Sequence, residues 1–269
     1  MFRILVLSLA LCWSHGAAAE TVLVTGSNRG LGLEFVKQYA DLGWNVIATS
    51  RSPEDDADLQ ALATANESIT IEKLDVADLE EIAALADKYR GTAIDVLMNN
   101  AGVFGDRPRQ TWGTLDRDLF RQVMDINVFG PLKISEAFAD HIAASETKKI
   151  AVISSTAGSL ASIRNPPGAP YYAISKAAVN MAMRGTAMRL KDRGIAVAIF
   201  MPGAVDTRML REAVGLTQEE AEAATDYDYK RFKPLTTKES VSQMISTLDA
   251  LTLDLSGDFL NYDGKTIPW

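Results

Sequence analysis

Two side chains with complementary chemistry stand four residues apart in an apolar, helix-forming stretch. Tyr172 and Lys176 belong to a segment that predicts a helix from Tyr171 to about Arg189. Residues at this spacing lie on one helical face, so the phenol and the ammonium are neighbours. A nearby cation stabilises a phenolate and lowers the tyrosine pKa, which would make the pair an acid–base device near neutral pH. Because Tyr-x-x-x-Lys also occurs by chance, its meaning depends on the elements that position it.

A glycine-rich turn near the start of the chain has the features of an anion-binding site. It lies between a predicted strand at Thr21–Thr25 and a helical pattern at Leu33–Leu42. Backbone N–H groups and the helix dipole at such a junction attract a pyrophosphate, and glycines let the backbone approach it. The pattern therefore predicts a dinucleotide cofactor. The residues expected to contact it are Gly26, Ser27, Asn28, Arg29, Gly30, Leu31 and Gly32.

The residues after the second predicted strand indicate which dinucleotide. That strand covers Trp44–Thr49, and Ser50 and Arg51 follow it with no acid at this point. In dinucleotide-binding folds an acid here holds the 2′-hydroxyl of NAD, whereas an arginine accommodates the 2′-phosphate of NADP. Arg29 in the glycine turn is a second nearby cation. The pattern favours NADP(H), with NAD(H) as the alternative.

Strand-like and helix-like segments alternate along the rest of the chain. Predicted strands cover 21–25, 44–49, 68–74, 94–98, 149–153, 195–201 and 258–262. This alternation is typical of an α/β fold. It predicts a Rossmann-like, doubly wound parallel sheet of about seven strands with helices on both faces.

The segments between the strands carry further expectations. Ser52 followed by Pro53 predicts a helix start. A long helical pattern at 119–141 is expected to break near Asn127, because asparagine is a poor residue for a helix interior. Residues 204–234 mix apolar and charged side chains without a strand pattern, which indicates a mobile lid over a substrate.

Composition excludes several classes of function. The chain has 269 residues, 47% of them hydrophobic, and a formal net charge of −8. Nucleic acids and anionic membrane surfaces require a basic face, so neither is an expected partner. Cys12 is the only cysteine, and His141 is one of two histidines. These counts argue against a His/Cys metal site and a Ser-His-Asp triad, so we expect no metal.

The first nineteen residues have the layout of a secretory signal peptide. Arg3 precedes an apolar run at Ile4–Trp13, and alanines at 17–19 precede Glu20. The run is too short to span a bilayer comfortably, so stable membrane insertion is not expected. We expect residues 1–19 to be removed and 20–269 to form one domain in an exported or periplasmic protein. The alternative is an uncleaved apolar tail on a cytoplasmic protein.

The motifs, taken in order, resemble those of the short-chain dehydrogenase/reductase family, single-domain type. They are Thr25-Gly26-x-x-x-Gly30-x-Gly32, Asp75, Asn99-Asn100-Ala101-Gly102, Asn127, Ser155, Tyr172-x-x-x-Lys176 and Pro202-Gly203-x-Val205-x-Thr207. The similarity extends from Thr21 to the C-terminus. The long loop before Tyr172 and the ending Asn261–Trp269 look similar to the carbonyl-reductase-like branch that includes bacterial C-factor proteins.

The resemblance implies roles for the matching residues. Tyr172 would be the catalytic acid–base, Lys176 would lower its pKa and bind the nicotinamide ribose, and Ser155 would hydrogen-bond the substrate oxygen. Asn127 would hold a water of the proton relay, and Asn99 would brace the sheet and the cofactor. Further implied cofactor contacts are Arg51, Asp75, Val76, Asn100, Ala101, Gly102, Tyr172, Lys176, Pro202, Gly203, Val205 and Thr207. Ser159 is the alternative to Ser155, because the spacing from Ser155 to Tyr172 is longer than the family usually has.

Three classes of function compete at this point. The first is an NADP(H)-dependent oxidoreductase acting on a small-molecule carbonyl or alcohol substrate, as a homodimer or homotetramer. The second is a non-catalytic dinucleotide-binding sensor or signalling protein, which a degenerate set of catalytic residues would favour. The third is an epimerase or dehydratase, which would require a longer chain with a separate substrate domain.

Overall fold

Seven parallel strands form the centre of the molecule. The computed structural model describes residues 19–223, 229 and 232–269. The strands are β1 Thr21–Val24, β2 Asn45–Ser50, β3 Ile69–Lys73, β4 Val96–Asn99, β5 Lys149–Ile153, β6 Ala196–Met201 and β7 Phe259–Asn261. Their spatial order is β3-β2-β1-β4-β5-β6-β7, and every adjacent pair is parallel. The predicted fold class is confirmed.

Helices cover both faces of this sheet. They are α1 Gly30–Asp41, α2 Ala57–Ala65, α3 Leu79–Lys88, α4 Arg117–Met124, α5 Gly130–Ala137, α6 Ala139–Ala143, α7 Pro170–Leu190, α8 Arg208–Ala213, α9 Gln218–Ala223 and α10 Thr237–Asp249. Successive side chains of a strand point to opposite faces. Val22 and Val24 accordingly join a core with residues of α1, α2 and α10, whereas Leu23 joins a second core with residues of α3, α5 and α7.

The strand order reverses beside β1, and this reversal creates the crevice that holds the site. β1 pairs with β2 on one side and with β4 on the other, with Val24 opposite Met98. The connections that leave β1 and β4 go to opposite faces, so their carboxyl ends leave an opening between them. The glycine turn after β1 and the Asn99–Gly102 segment after β4 therefore lie side by side.

The helix boundaries differ from the predicted ones in two places. The glycine turn continues directly into α1, so the helix begins at Gly30 rather than Leu33. The predicted helix start at Ser52 is wrong, because Pro53–Asp55 forms a separate 3₁₀ turn and α2 begins only at Ala57. The Ser52 side chain makes no capping hydrogen bond there.

The predicted break near Asn127 is confirmed, and the segment at 204–234 contains two short helices. A π-helical turn at Asp125–Phe129 separates α4 from α5. α8 and α9 occupy part of the expected lid, which also includes residues outside the described ranges. The expected signal peptide at 1–19 lies outside them except for its last residue. Within the described residues, no helix has the length and apolarity needed to cross a membrane.

Candidate active site

A cavity of about 700 Å³ lies at the carboxyl ends of the strands, over the reversal point. Its walls come from the glycine turn, from the ends of β2 to β6 and from the starts of α7 and α8. Most of the predicted site residues line it. They are Gly26, Asn28, Arg29, Gly30, Leu31, Gly32, Arg51, Asp75, Val76, Asn100, Ala101, Gly102, Ser155, Tyr172, Lys176, Pro202, Gly203, Val205 and Thr207.

The glycine turn has the geometry that a pyrophosphate requires. Gly26 has φ +67°, and a Cβ there would lie 2.9 Å from the Ala101 Cα. A Cβ on Gly32 would lie 2.0 Å from the Gly26 carbonyl oxygen. The first turn of α1 carries no acidic residue and no capping side chain. Its N–H groups are therefore not used by a side-chain cap, and these features fit a dinucleotide phosphate.

Asn100 and Thr25 fix this turn against the end of β4. The Asn100 Nδ2 donates to the backbone oxygens of Thr25 and Gly26 at 2.9 and 3.0 Å. The Thr25 hydroxyl accepts from the backbone N–H groups of Asn100 and Ala101 at 3.0 and 3.1 Å. These four bonds hold the edges of the crevice in one fixed arrangement.

Ser27 does not line the cavity, and its predicted contact with the cofactor stays a prediction. The residue is fully buried, and its hydroxyl donates to the Val24 oxygen at 2.9 Å. Its backbone N–H donates to the Thr49 oxygen at 2.9 Å. Ser27 therefore holds the glycine turn against the ends of β1 and β2 through these two hydrogen bonds.

Helix α7 brings Tyr172 and Lys176 to the cavity floor together. Pro170 occupies the first turn, where its missing N–H costs nothing. Lys176 is only 4% exposed, and its Nζ donates to the Ile153 oxygen at the end of β5 at 2.9 Å. The same nitrogen lies 5.6 Å from the centre of the Tyr172 ring. The predicted pairing of phenol and ammonium is present.

The expected lowering of the Tyr172 pKa is wrong for the protein by itself. Burial raises the pKa of Tyr172 to about 12, although a hydrogen bond with the Ser155 side chain opposes this rise. Burial also lowers the pKa of Lys176 to about 8. Both shifts have one cause, because a poorly hydrated site destabilises the phenolate and the ammonium alike. The net shift of the Tyr172 pKa is therefore upward, although the Lys176 ammonium lies close to the ring.

Of the two candidate serines, the structure places only Ser155 in the cavity. The Ser155 side chain lies beside the Tyr172 hydroxyl, and its Oγ accepts from the Ala157 N–H at 3.1 Å. Ser159 is fully buried, and its hydroxyl donates to the Pro268 oxygen at 2.6 Å. Ser159 thus anchors the C-terminal segment.

Asn127 stands behind the cavity wall, in the π-helical turn. Its Nδ2 donates to the oxygens of Val103 and Ser175 at 2.9 Å each, and its Oδ1 accepts from the Val103 N–H at 2.8 Å. The side chain is therefore used to hold the loop after β4 against α7. It does not line the cavity, and its implied role with a relay water stays a prediction.

Phe104 and Asp56 are among the cavity-lining residues that the sequence did not single out individually. The Phe104 ring lies 5.0 Å from the Tyr172 ring and lines the cavity. Asp56 also lines it, near Ser50 and Arg51, where the sequence showed no acid next to the strand. Only the short distance along the chain from Arg51 to Asp56 could have suggested this position.

The comparison with known families agrees with this geometry. A family described as short chain dehydrogenase matches residues 20–216. The chain belongs to the short-chain dehydrogenase/reductase family. The predicted type of protein, an oxidoreductase enzyme of this family, is confirmed.

Individual relatives support the narrower resemblance as well. An uncharacterized oxidoreductase of Schizosaccharomyces pombe is 32% identical over 249 residues, which cover 91% of this chain and 96% of the relative. C-signal of Myxococcus xanthus is 32% identical over 180 residues, covering 65% of this chain and 93% of the relative. The crystal structure of NADPH-bound carbonyl reductase from chicken fatty liver superposes with a TM-score of 0.80 at 32% identity, covering 93% and 99% of the two chains.

Proposed function

We propose that this short-chain dehydrogenase/reductase uses NADP(H) to interconvert a carbonyl and an alcohol on a small molecule. One observation carries the proposal: Ser155, Tyr172 and Lys176 line the same cavity as a glycine turn shaped for a pyrophosphate. The carbonyl reductase with 32% identity to this chain binds NADPH, which supports the choice of cofactor.

The lining residues divide into three groups along the cavity, one for each part of the dinucleotide that they would hold. The glycine turn and α1 hold the pyrophosphate, whereas Arg51 and Asp75 lie toward the adenosine. Pro202 to Thr207 and Lys176 border the nicotinamide and its ribose. Bound in this way, the dinucleotide supplies or accepts a hydride, and the protein provides orientation and the proton.

In the reductive direction Tyr172 donates its proton to the substrate carbonyl oxygen. A tyrosine with a pKa of about 12 is protonated at neutral pH, so the proton is available. The Ser155 hydroxyl, beside the phenol, hydrogen-bonds the same oxygen. The Lys176 ammonium, 5.6 Å from the phenol ring centre, stabilises the negative charge that remains after the transfer.

A non-catalytic sensor is the weaker alternative. A protein that only binds a dinucleotide needs no acid–base group next to the nicotinamide. Here the serine, tyrosine and lysine all line the cavity, and burial shifts the pKa values of the tyrosine and the lysine. These features are without purpose in a simple binding module.

Tyr172→Phe tests the proposal, because it retains the ring and removes the proton. We expect turnover to fall at least roughly a hundredfold while the Kd for NADPH stays unchanged. NADPH oxidation is measured over a panel of aldehydes, ketones and quinones. Tyr171→Phe is the matched control, since Tyr171 is buried against Phe120 and lies outside the cavity lining. Turnover of the Tyr172 variant within a few-fold of the unmodified chain would remove Tyr172 from this role.

A further inference from the structure

Asp56 brings a carboxylate into the cavity at the end of β2. The residue lies between the 3₁₀ turn at Pro53–Asp55 and the start of α2, and it is half-buried. Its Oδ1 accepts a hydrogen bond from the Asn28 Nδ2 at 3.1 Å, and its Oδ2 accepts one from the Ser50 hydroxyl. The carboxylate therefore connects the glycine turn to the end of β2.

This is the region where a dinucleotide-binding fold recognises the adenosine ribose. The end of the second strand meets the ribose 2′ position, where an acid binds a hydroxyl and an arginine accommodates a phosphate. Ser50 is the last residue of β2, and the exposed Arg51 follows it at the cavity wall. An acid and an arginine with opposite preferences thus line the same end of the cavity.

The charge of Asp56 is not neutralised by a neighbouring cation. Within the described part of the chain, no lysine or arginine forms an ion pair with it, and its two hydrogen-bond partners are a neutral amide and a hydroxyl. A 2′-phosphate carries a charge of about −2 at neutral pH and would be repelled by the carboxylate. The same two donors, Asn28 and Ser50, are already occupied by Asp56.

We propose that Asp56 is a specificity-determining residue that opposes Arg51 and reduces the preference for NADP(H) over NAD(H). With NAD(H), the carboxylate accepts a hydrogen bond from the ribose 2′-hydroxyl. With NADP(H), the Asn28 and Ser50 donors have to exchange the carboxylate for the phosphate. This inference rests on the cofactor placement in the proposed function, and it adds that Asp56 keeps NAD(H) usable.

The test compares the affinities of the full chain and of charge-neutral variants for both cofactors. Asp56→Asn keeps the size of the side chain and one acceptor oxygen but removes the charge. We expect its Kd for NADPH to fall at least about fivefold, with the Kd for NADH unchanged or raised. Asp55→Asn is the matched control, because Asp55 is exposed and does not line the cavity. Arg51→Ala should have the opposite effect, because its Kd for NADPH should rise while its Kd for NADH stays unchanged.

Titration calorimetry with NADPH, NADH, adenosine 2′,5′-bisphosphate and 5′-ADP separates the outcomes. A Kd for NADPH within twofold of the unmodified value in Asp56→Asn overturns the role of Asp56. If Asp56→Asn does not fold, Asp56→Ser, which also lacks the charge, is measured in its place. Its Kd for NADPH is judged by the same twofold limit. If the unmodified chain binds neither dinucleotide, the proposed function itself fails, and this result is distinct from an unchanged ratio of two measurable affinities.

Discussion

At the scale of single residues, the buried ammonium of Lys176 costs stability in return for its position beside Tyr172. Its pKa falls from the ordinary 10.5 to about 8 because burial penalises the charged form. Below about pH 8 the folded chain carries this penalty in full, which corresponds to about 3 kcal/mol. Between about pH 8 and 10.5 the folded chain loses the proton while the unfolded chain retains it. Stability therefore rises with pH in that window.

Lys176→Met should consequently make the protein more stable at neutral pH while it abolishes turnover. The lost hydrogen bond to the Ile153 oxygen costs about 1 kcal/mol, so the expected net gain is about 1–2 kcal/mol at pH 7. The gain should shrink as the pH rises from about 8 to 10.5. Urea unfolding at several pH values measures it, with Lys191→Met on an exposed position as the control. A gain that is independent of pH would contradict a buried ammonium.

At the scale of elements, the start of α7 depends on a side chain from a distant loop. Ala169 makes no side-chain cap for this helix. Gln110 is fully buried, and its Oε1 accepts from the backbone N–H groups of Tyr171 and Tyr172 at 3.0 and 3.4 Å. Its Nε2 donates to the Phe104 oxygen at 3.1 Å. One amide thus joins the loop that carries Phe104 to the turn that carries Tyr172.

Gln110→Met should therefore misplace Tyr172 without disturbing the cofactor region. We expect about 1–3 kcal/mol of lost stability from the unpaired N–H and carbonyl groups, and about a tenfold drop in kcat. The Kd for NADPH should change less than about threefold, because the glycine turn lies on other elements. Gln122→Met, on the exposed face of α4, is the control. A loss of NADPH binding equal to the loss in kcat would instead indicate general unfolding of the site.

At the scale of the whole molecule, the chain is anchored from Ala19 onward. The backbone oxygens of Ala19 and Glu20 accept from Asn45 at 3.3 and 2.8 Å, and the Glu20 side chain accepts from Thr147 at 2.7 Å. β1 follows at once and is paired on both sides. A strand held in this way needs little preceding chain, because its hydrogen bonds involve only its own residues.

We therefore expect a chain that begins at Glu20 to fold with a melting temperature within a few degrees of the full-length value. Among the described residues, the truncation removes only the hydrogen bond from the Asn45 side chain to the Ala19 oxygen. In the native host, we expect export and a mature N-terminus at Glu20, which mass spectrometry of the purified protein measures. An intact Met1 in the cytosolic fraction would contradict export.

The oligomeric state stays a prediction, and light scattering on the same sample determines it.

The sequence by itself determined the architecture and the identity of the central residues. Hydrophobic periodicity is a local property, so the order of strands and helices could be predicted from the sequence. The glycine turn and the spacing of Tyr172 and Lys176 are also local patterns, and they could be predicted as well. The break near Asn127 could be predicted because asparagine is a poor residue for a helix interior. Boundaries such as the start of α1 and of α2 were less accurate, because turn geometry there overrides the local pattern.

Tertiary structure alone decided the contacts between distant segments and the pKa shifts that burial causes. Asn28 meets Asp56 across 28 residues, and Gln110 meets Tyr171 across 61. Neither contact has a local signal, since it depends on how the loops pack over the strand ends. The raised Tyr172 pKa likewise follows from burial, which spacing along a helix does not reveal. The sequence named the acid–base pair, whereas packing decided the direction in which the two pKa values shift.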